Sequence, residues 1–318
     1  MPRAWRQISE VYSHPASDQG RRGRTAETHR AAHTNMAFTK VYRFQQLSGY
    51  EPVISRGNSD MAYMGFARIL LRPQQEITYT AGDEELAIVL QQGDFTVWVT
   101  DKGECVINGE RGQRGNVFDE LPTAVYVPPR ATVRISSDTG MEARVFTAYC
   151  TEGNRPYFCR PEDVEEGEPG TYIYKRKYRF IFGAPGKHND AITRKLIVGE
   201  SVSVPGGWIG FPAHRHDYVT EKECVLDEIF SFQVRSQGGV GGVMQYGYDL
   251  TKDGKKIWDE VNVIESNDTA IALPTGYHTT VAFPGTEGYL LWGLAGPGEK
   301  EYRVQFDERY SWLEDCLY

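Results

Sequence analysis

Two histidines one residue apart, in the run Phe211-Pro-Ala-His-Arg-His-Asp217, carry the clearest chemistry in this chain. The run is patterned as a strand, where side chains alternate between faces, so His214 and His216 point two imidazoles to one side. Imidazole is the commonest protein ligand for a metal ion. Of the 7 histidines, His14, His29 and His33 lie in an arginine-rich start, which leaves His188, His214, His216 and His278 for the rest of the chain. His188 reads as an ordinary residue satisfied by hydrogen bonds. Glu228 opens the apolar strand that follows the pair, and His278 follows the turn Pro274-Thr-Gly-Tyr277. Three imidazoles and a carboxylate from separate strands can converge on one zinc, manganese, iron or nickel ion and leave positions for water or substrate.

The elements that must position these groups belong to an ordinary globular chain. With 318 residues there is length for two domains, each with its own core. A formal net charge of -8 gives no electrostatic reason to expect nucleic acid or an anionic membrane as partner. No apolar run approaches the roughly 18 residues of a membrane span. Five cysteines, Cys105, Cys150, Cys159, Cys224 and Cys316, form no CxxC pair, which argues against a disulfide framework or a zinc ribbon and places the chain in a reducing cytoplasm. Residues 1–35, with Arg3, Arg6, Arg21, Arg22, Arg24 and Arg30, hold too little apolar surface to order themselves and read as a disordered extension upstream of Met36.

Beyond that extension the chain reads as short β-strands. Leu86-Ala-Ile-Val-Leu90, Phe95-Thr-Val-Trp-Val-Thr100, Ala124-Val-Tyr-Val127 and Thr132-Val-Arg-Ile135 are β-branched or aromatic and bounded by Gly93, Gly103, Gly109 or Pro128. Regular short strands with turn residues between them predict a sandwich or barrel. The phrases recur: the segment from Glu85 resembles the one from Glu228, and that from Val125 resembles that from Ile271, each about 145 residues apart. Two copies of one β domain follow, at 36–170 and 171–318, joined within the acidic stretch Pro161–Gly170. The first copy holds no histidine and reads as structural. The stripe Tyr172, Tyr174, Tyr178, Phe180 and Phe182 reads as packing between the copies.

Taken together, His214-Arg-His-Asp217, Leu226-Asp-Glu-Ile-Phe230, Met244-Gln-Tyr-Gly-Tyr248, Asp259-Glu260 and Leu273-Pro-Thr-Gly-Tyr-His278 resemble the cupins, and within them the 5-deoxy-glucuronate isomerases of myo-inositol catabolism. The pectin-pathway uronate isomerases are a more distant likeness. The first copy shares its own phrase, Ala124-Val-Tyr-Val-Pro128. The resemblance implies an all-β bicupin, two jelly-roll barrels in tandem, with one divalent metal on His214, His216, Glu228 and His278. Glu221 is the alternative carboxylate; it sits in the polar run Thr220-Glu-Lys-Glu223, whereas Glu228 heads an apolar strand, which favours Glu228. The chain departs from the family in Phe211-Pro-Ala before the histidines, in Thr279 after His278 and in Leu291-Trp-Gly-Leu-Ala295, which bear on the sugar rather than on the metal.

The implied reaction is an aldose to ketose isomerisation of an open-chain uronic acid. A Lewis-acidic metal at the aldehyde and neighbouring hydroxyl would acidify the C2 proton, which a base then moves to C1; hydride transfer between the same carbons is the other route. Glu221 or a hydroxide on the metal are candidate bases, and Tyr248 and Tyr277 candidate proton donors. Arg176, where the family has an arginine, would bind the substrate carboxylate with two hydrogen bonds, and Gln245 a sugar hydroxyl. An iron-dependent dioxygenase would use the same ligands without needing a cation for a uronate. A non-enzymatic binding bicupin is the third class. Exposed sheet edges lead to the expectation of a homodimer.

Overall fold

The structure, a computed structural model, describes residues 39–314, so the expectations for residues 1–35 and for Cys316 lie outside the described residues. Those described form strands joined by turns and four short 3-10 segments. In the N-terminal half the organising element is the 18-residue strand Glu84–Asp101. Up to Leu90 it pairs with Ala124–Val127 and Met141–Tyr149. After a register shift between Leu90 and Gln92, its remainder pairs with Glu104–Arg114 and Thr132–Ser137. An irregularity of this kind bends a strand, and here it lets one nine-stranded sheet fold over its own core. Gly93 sits at the bend with φ +93, where a Cβ would meet the Gly140 carbonyl oxygen at 2.1 Å, so no other residue fits.

The C-terminal half is a pair of facing sheets. One runs in the order Lys40–Arg43, Thr269–Leu273, Asp227–Ser236, Thr286–Ala295, Ile197–Ser203, Arg176–Phe182, Glu165–Gly167. The other runs Lys256–Ile264, Val243–Leu250, Tyr277–Ala282, Trp208–Arg215, Gln305–Phe306. Phe230, Phe232, Leu290 and Leu294 from the first meet Ile209, Val243 and Ala282 from the second.

The internal repeat is visible as repeated pairing. In the first half the order is Tyr157–Cys159, Ala124–Val127, Glu84–Asp101, Met141–Tyr149, Met64–Leu71, Gly49–Ile54, which matches the first six strands of the larger second-half sheet and leaves Glu165–Gly167 without a counterpart in that order. Lys40–Arg43 thus takes, in the second half, the place that Tyr157–Cys159 takes in the first. Glu85 and Glu228 each stand second in their strands.

Both faces of these central strands are buried, which is why they read as unbroken apolar runs. Leu86, Ile88 and Leu90 fill the first core, while Ala87 and Val89, on the other face, join Tyr126 and Phe146 against Ile229, Ala272 and Leu291. The aromatic stripe divides between these environments. Tyr178 and Phe180 lie inside the second half, but a register shift between Phe180 and Phe182 turns Phe182 to the contact between halves; Tyr172 is exposed. Charge also spans the contact. The buried Glu200 carboxylate accepts from Arg114 at 2.6 Å, Arg179 at 2.7 Å and Tyr289 at 2.7 Å. No helix among the described residues is long and apolar enough to cross a membrane.

Candidate metal centre

Trp208–Arg215 pairs with Tyr277–Ala282, and a register shift between Ile209 and His214 sets His214 opposite His278. Gly210 lies in that irregular stretch with φ +69, and a Cβ there would come within 3.4 Å of His214 Cε1. Glycine therefore supplies the left-handed backbone of the bulge, while a Cβ there would only touch the imidazole. His216 follows at the strand's end. Glu228 arrives from the facing sheet, held between Leu273 on one neighbouring strand and Leu294 on the other. One donor atom from each of His214, His216, Glu228 and His278 lies within 4.8 Å of all the others.

The hydrogen bonds around the rings fix their tautomers. His216 Nδ1 lies 2.9 Å from the Leu226 carbonyl oxygen and His278 Nδ1 3.0 Å from that of Gly276. A carbonyl only accepts, so each Nδ1 carries a proton, and in the neutral rings Nε2 presents a lone pair. Both Nε2 atoms face the same carboxylate oxygen, Glu228 Oε2, at 3.1 and 2.8 Å. Lone pairs at that distance repel unless a proton or a cation lies among them. His278 Nε2 and His214 Nδ1 are buried without a hydrogen-bond partner. Two ligands at about 2.1 Å from a shared ion stand at most about 4.2 Å apart, so the four residues fit a divalent cation with a slight contraction.

The shifts at Glu228 and His214 agree with that fit. Burial would raise the Glu228 carboxyl, but the adjoining His216 and His278 bring it down to about 2, so it is ionised at neutral pH. Burial and the neighbouring His278 hold His214 well below the ordinary histidine range, keeping it the neutral ligand form. In His216, burial acts downward but the Glu228 carboxylate prevails and raises it.

A cavity opens beside these groups. Arg176, Ser201, His214, Glu228, His278 and Tyr302 give it polar walls, and Ile209, Phe230, Leu290, Trp292, Val304 and Phe306 apolar ones. Arg176 is buried, and its positive charge reaches His214. The other expected residues are placed elsewhere. Glu221 is exposed in the turn beyond His216, where its carbonyl accepts from Arg303. Tyr277 and Tyr248 pair with each other one position from His278 and Gly247, so alternation turns them to the opposite face of the sheet, where they stack 5.4 Å apart. Tyr248 donates to Asp307 at 2.5 Å. Gln245 is fully buried two positions from Gly247 and donates to the Tyr246 carbonyl, without lining the cavity. His188 bonds the Asp163 carbonyl oxygen, away from the cluster. The sequence reading missed the wall formed by Tyr302, Val304 and Phe306. Their period-two spacing is the available signal, although only Gln305–Phe306 pairs, opposite Arg215 and His214.

Known proteins resemble this chain in sequence and in fold. The model of the KduI/IolB family matches residues 41–313. The chain is 28% identical over 269 residues to a 5-deoxy-glucuronate isomerase of Listeria monocytogenes serotype 4b, covering 82% of this chain and 90% of that one. It is 28% identical over 264 residues to a 5-deoxy-glucuronate isomerase of Bacillus licheniformis, covering 82% and 91%. Among solved structures, an IolB-like protein from Salmonella typhimurium LT2 superposes with a TM-score of 0.75 at 24% identity, over 86% of this chain and 98% of that one. The oxalate decarboxylase of Lactobacillus farciminis, in its formate complex, superposes at 0.60 with 11% identity, over 90% and 92%. The fold is accordingly that of a bicupin, two jelly-roll barrels in tandem. By the match of the family model over most of its length, the chain belongs to the KduI/IolB family.

Proposed function

We propose that this chain is a metal-dependent aldose to ketose isomerase of open-chain uronic acids, acting on 5-deoxy-glucuronate to give 5-dehydro-2-deoxy-gluconate in inositol catabolism. One observation carries the reading: three histidines and an ionised glutamate cluster beside a cavity that His214, Glu228 and His278 line together with a buried arginine. The curated relatives named 5-deoxy-glucuronate isomerase support the reaction class.

His214, His216, Glu228 and His278 would hold one divalent ion, zinc, manganese, iron or nickel. When bound, the ion supplies Lewis acidity to the aldehyde and the adjacent hydroxyl, which makes the C2 hydrogen acidic. The protein's own groups do the rest. Arg176 grips the carboxylate at the far end of the substrate through two charge-assisted hydrogen bonds and fixes its direction in the cavity. Ser201 Oγ accepts from the Trp292 indole at 3.2 Å, which leaves its hydroxyl proton for a sugar oxygen. The walls of Ile209, Phe230, Leu290 and Phe306 exclude water and strengthen each of these interactions. Glu228, held down to about 2, serves as a ligand and does not carry a proton at neutral pH. Glu221, Tyr248 and Tyr277 lie off the cavity and are not placed to exchange a proton with C2 or C1.

Proton NMR of 5-deoxy-glucuronate in D2O with manganese- or zinc-loaded protein tests the proposal against a chelator-treated control. Metal-dependent formation of the 2-ketose is expected, and deuterium at C1 identifies proton rather than hydride transfer. A protein holding stoichiometric metal that leaves the substrate unchanged refutes it.

A further inference from the structure

Asp217 closes the run that holds His214 and His216, yet it is neither one of the four donors nor part of the cavity wall. It is 8% exposed, a carboxylate enclosed by protein. Its Oδ2 accepts from the Thr275 hydroxyl at 2.9 Å and from the Gly276 amide at 2.8 Å. Gly276 in turn offers its carbonyl to His278 Nδ1 at 3.0 Å. The residue that follows one candidate ligand therefore grips the turn that orients another.

The turn needs such a grip. Gly276 has φ +93, and a Cβ there would lie 2.4 Å from the Trp258 ring and 2.9 Å from the Tyr248 carbonyl oxygen, so the peptide has no side chain of its own to pin it. Asp217 is itself anchored, because its amide donates to Glu223 Oε2 at 3.0 Å and Glu223 pairs with Arg215 at 3.3 Å. His216 is oriented separately, by the Leu226 carbonyl. An outer group that sets the tautomer and direction of a ligand histidine changes metal affinity by about 10- to 100-fold.

We propose that Asp217 is a positioning residue of the metal centre: by clamping Thr275 and Gly276 it makes the Gly276 carbonyl hold His278 in the tautomer and direction that present Nε2 to the ion. The inference rests on the proposal that His214, His216, Glu228 and His278 bind metal.

The test is zinc affinity of the full chain, measured by competition with a chromophoric chelator, for the wild type, Asp217→Ala, Asp217→Asn, His278→Ala and Glu85→Ala. Glu85 is the control: a buried carboxylate of the other half that also grips backbone amides, at 2.6 to 2.8 Å, but stands apart from the four donors. The wild type is expected to bind one zinc and His278→Ala to lose it. Asp217→Ala should weaken binding 10- to 100-fold, with Asp217→Asn, which keeps an acceptor oxygen, recovering most of the loss. Glu85→Ala should melt earlier yet bind zinc as the wild type does. Wild-type affinity in Asp217→Ala, an asparagine variant as weak as the alanine, or equal weakening by Glu85→Ala overturns the clamp. A wild type that binds no zinc overturns the metal reading and the clamp with it.

Discussion

Arg176 is the residue on which substrate class turns. Its guanidinium has five donors, and among the described residues it makes a long hydrogen bond to the Tyr174 carbonyl, 3.5 Å. If it holds the uronate carboxylate through two charge-assisted hydrogen bonds of about 1.5 kcal/mol each, Arg176→Ala should lower kcat/KM about 100-fold with zinc content unchanged. Arg176→Lys, which keeps the charge but not the fork, should recover only part. Steady-state kinetics beside metal analysis checks this, and an unchanged kcat/KM in Arg176→Ala would separate the arginine from the substrate. The clustering of His214 and His216 was legible in the sequence because histidine is scarce and His-x-His in a strand shows two rings to one side. Glu228 was legible because it heads an apolar strand. The same alternation explains what was misread: Tyr277 precedes an inward His278 and must face outward, and Tyr248 follows an inward Gly247. The part played by Asp217 was not legible, since its partners lie 58 and 59 residues away and leave no local mark.

At the scale of elements, the two copies have put one glutamate position to different uses. Glu228 faces three imidazoles. Glu85, second in the corresponding strand, accepts from the Tyr126 hydroxyl at 2.9 Å and from the amides of Arg194, Lys195 and Leu196, tying the first half to the approach of strand Ile197–Ser203. Removing the carboxylate would leave several buried donors unpaired, at about 1 kcal/mol or more each, so Glu85→Ala should lose about 3 kcal/mol or more. Urea unfolding is the check, with the midpoint falling and the slope unchanged; a loss below about 1 kcal/mol would mean that water replaces the carboxylate. The strands themselves were legible from their apolar runs and glycine boundaries. Which strands pair was not, where the partner is remote: Lys40–Arg43 bonds to Thr269–Leu273 from the other end of the chain, and nothing in four residues of sequence announces that.

For the whole molecule, the question is whether two barrels behave as one body. Their contact is a continuous apolar layer, with Ala87, Val89 and Phe146 on one side and Ile229, Ala272 and Leu291 on the other. It is crossed by a buried charge cluster in which Arg114 of the first half and Arg179 of the second share the Glu200 carboxylate. Separating the halves would expose that layer and break the Arg114–Glu200 pair that crosses it. Neither half should therefore persist when the other unfolds. Trp98, under Arg134 in the first half, and Trp292, against Phe180 in the second, can report the halves separately in variants that keep only one of them. Both should show the same unfolding midpoint. Zinc at 100 times its dissociation constant adds about 2.7 kcal/mol to any state that binds it, so zinc held entirely in the second half should move the Trp98 transition as far as the Trp292 transition, and His214→Ala should abolish both shifts. Two transitions, of which only that at Trp292 responds to zinc, would show that the barrels unfold independently and that the metal stabilises only the half that holds it.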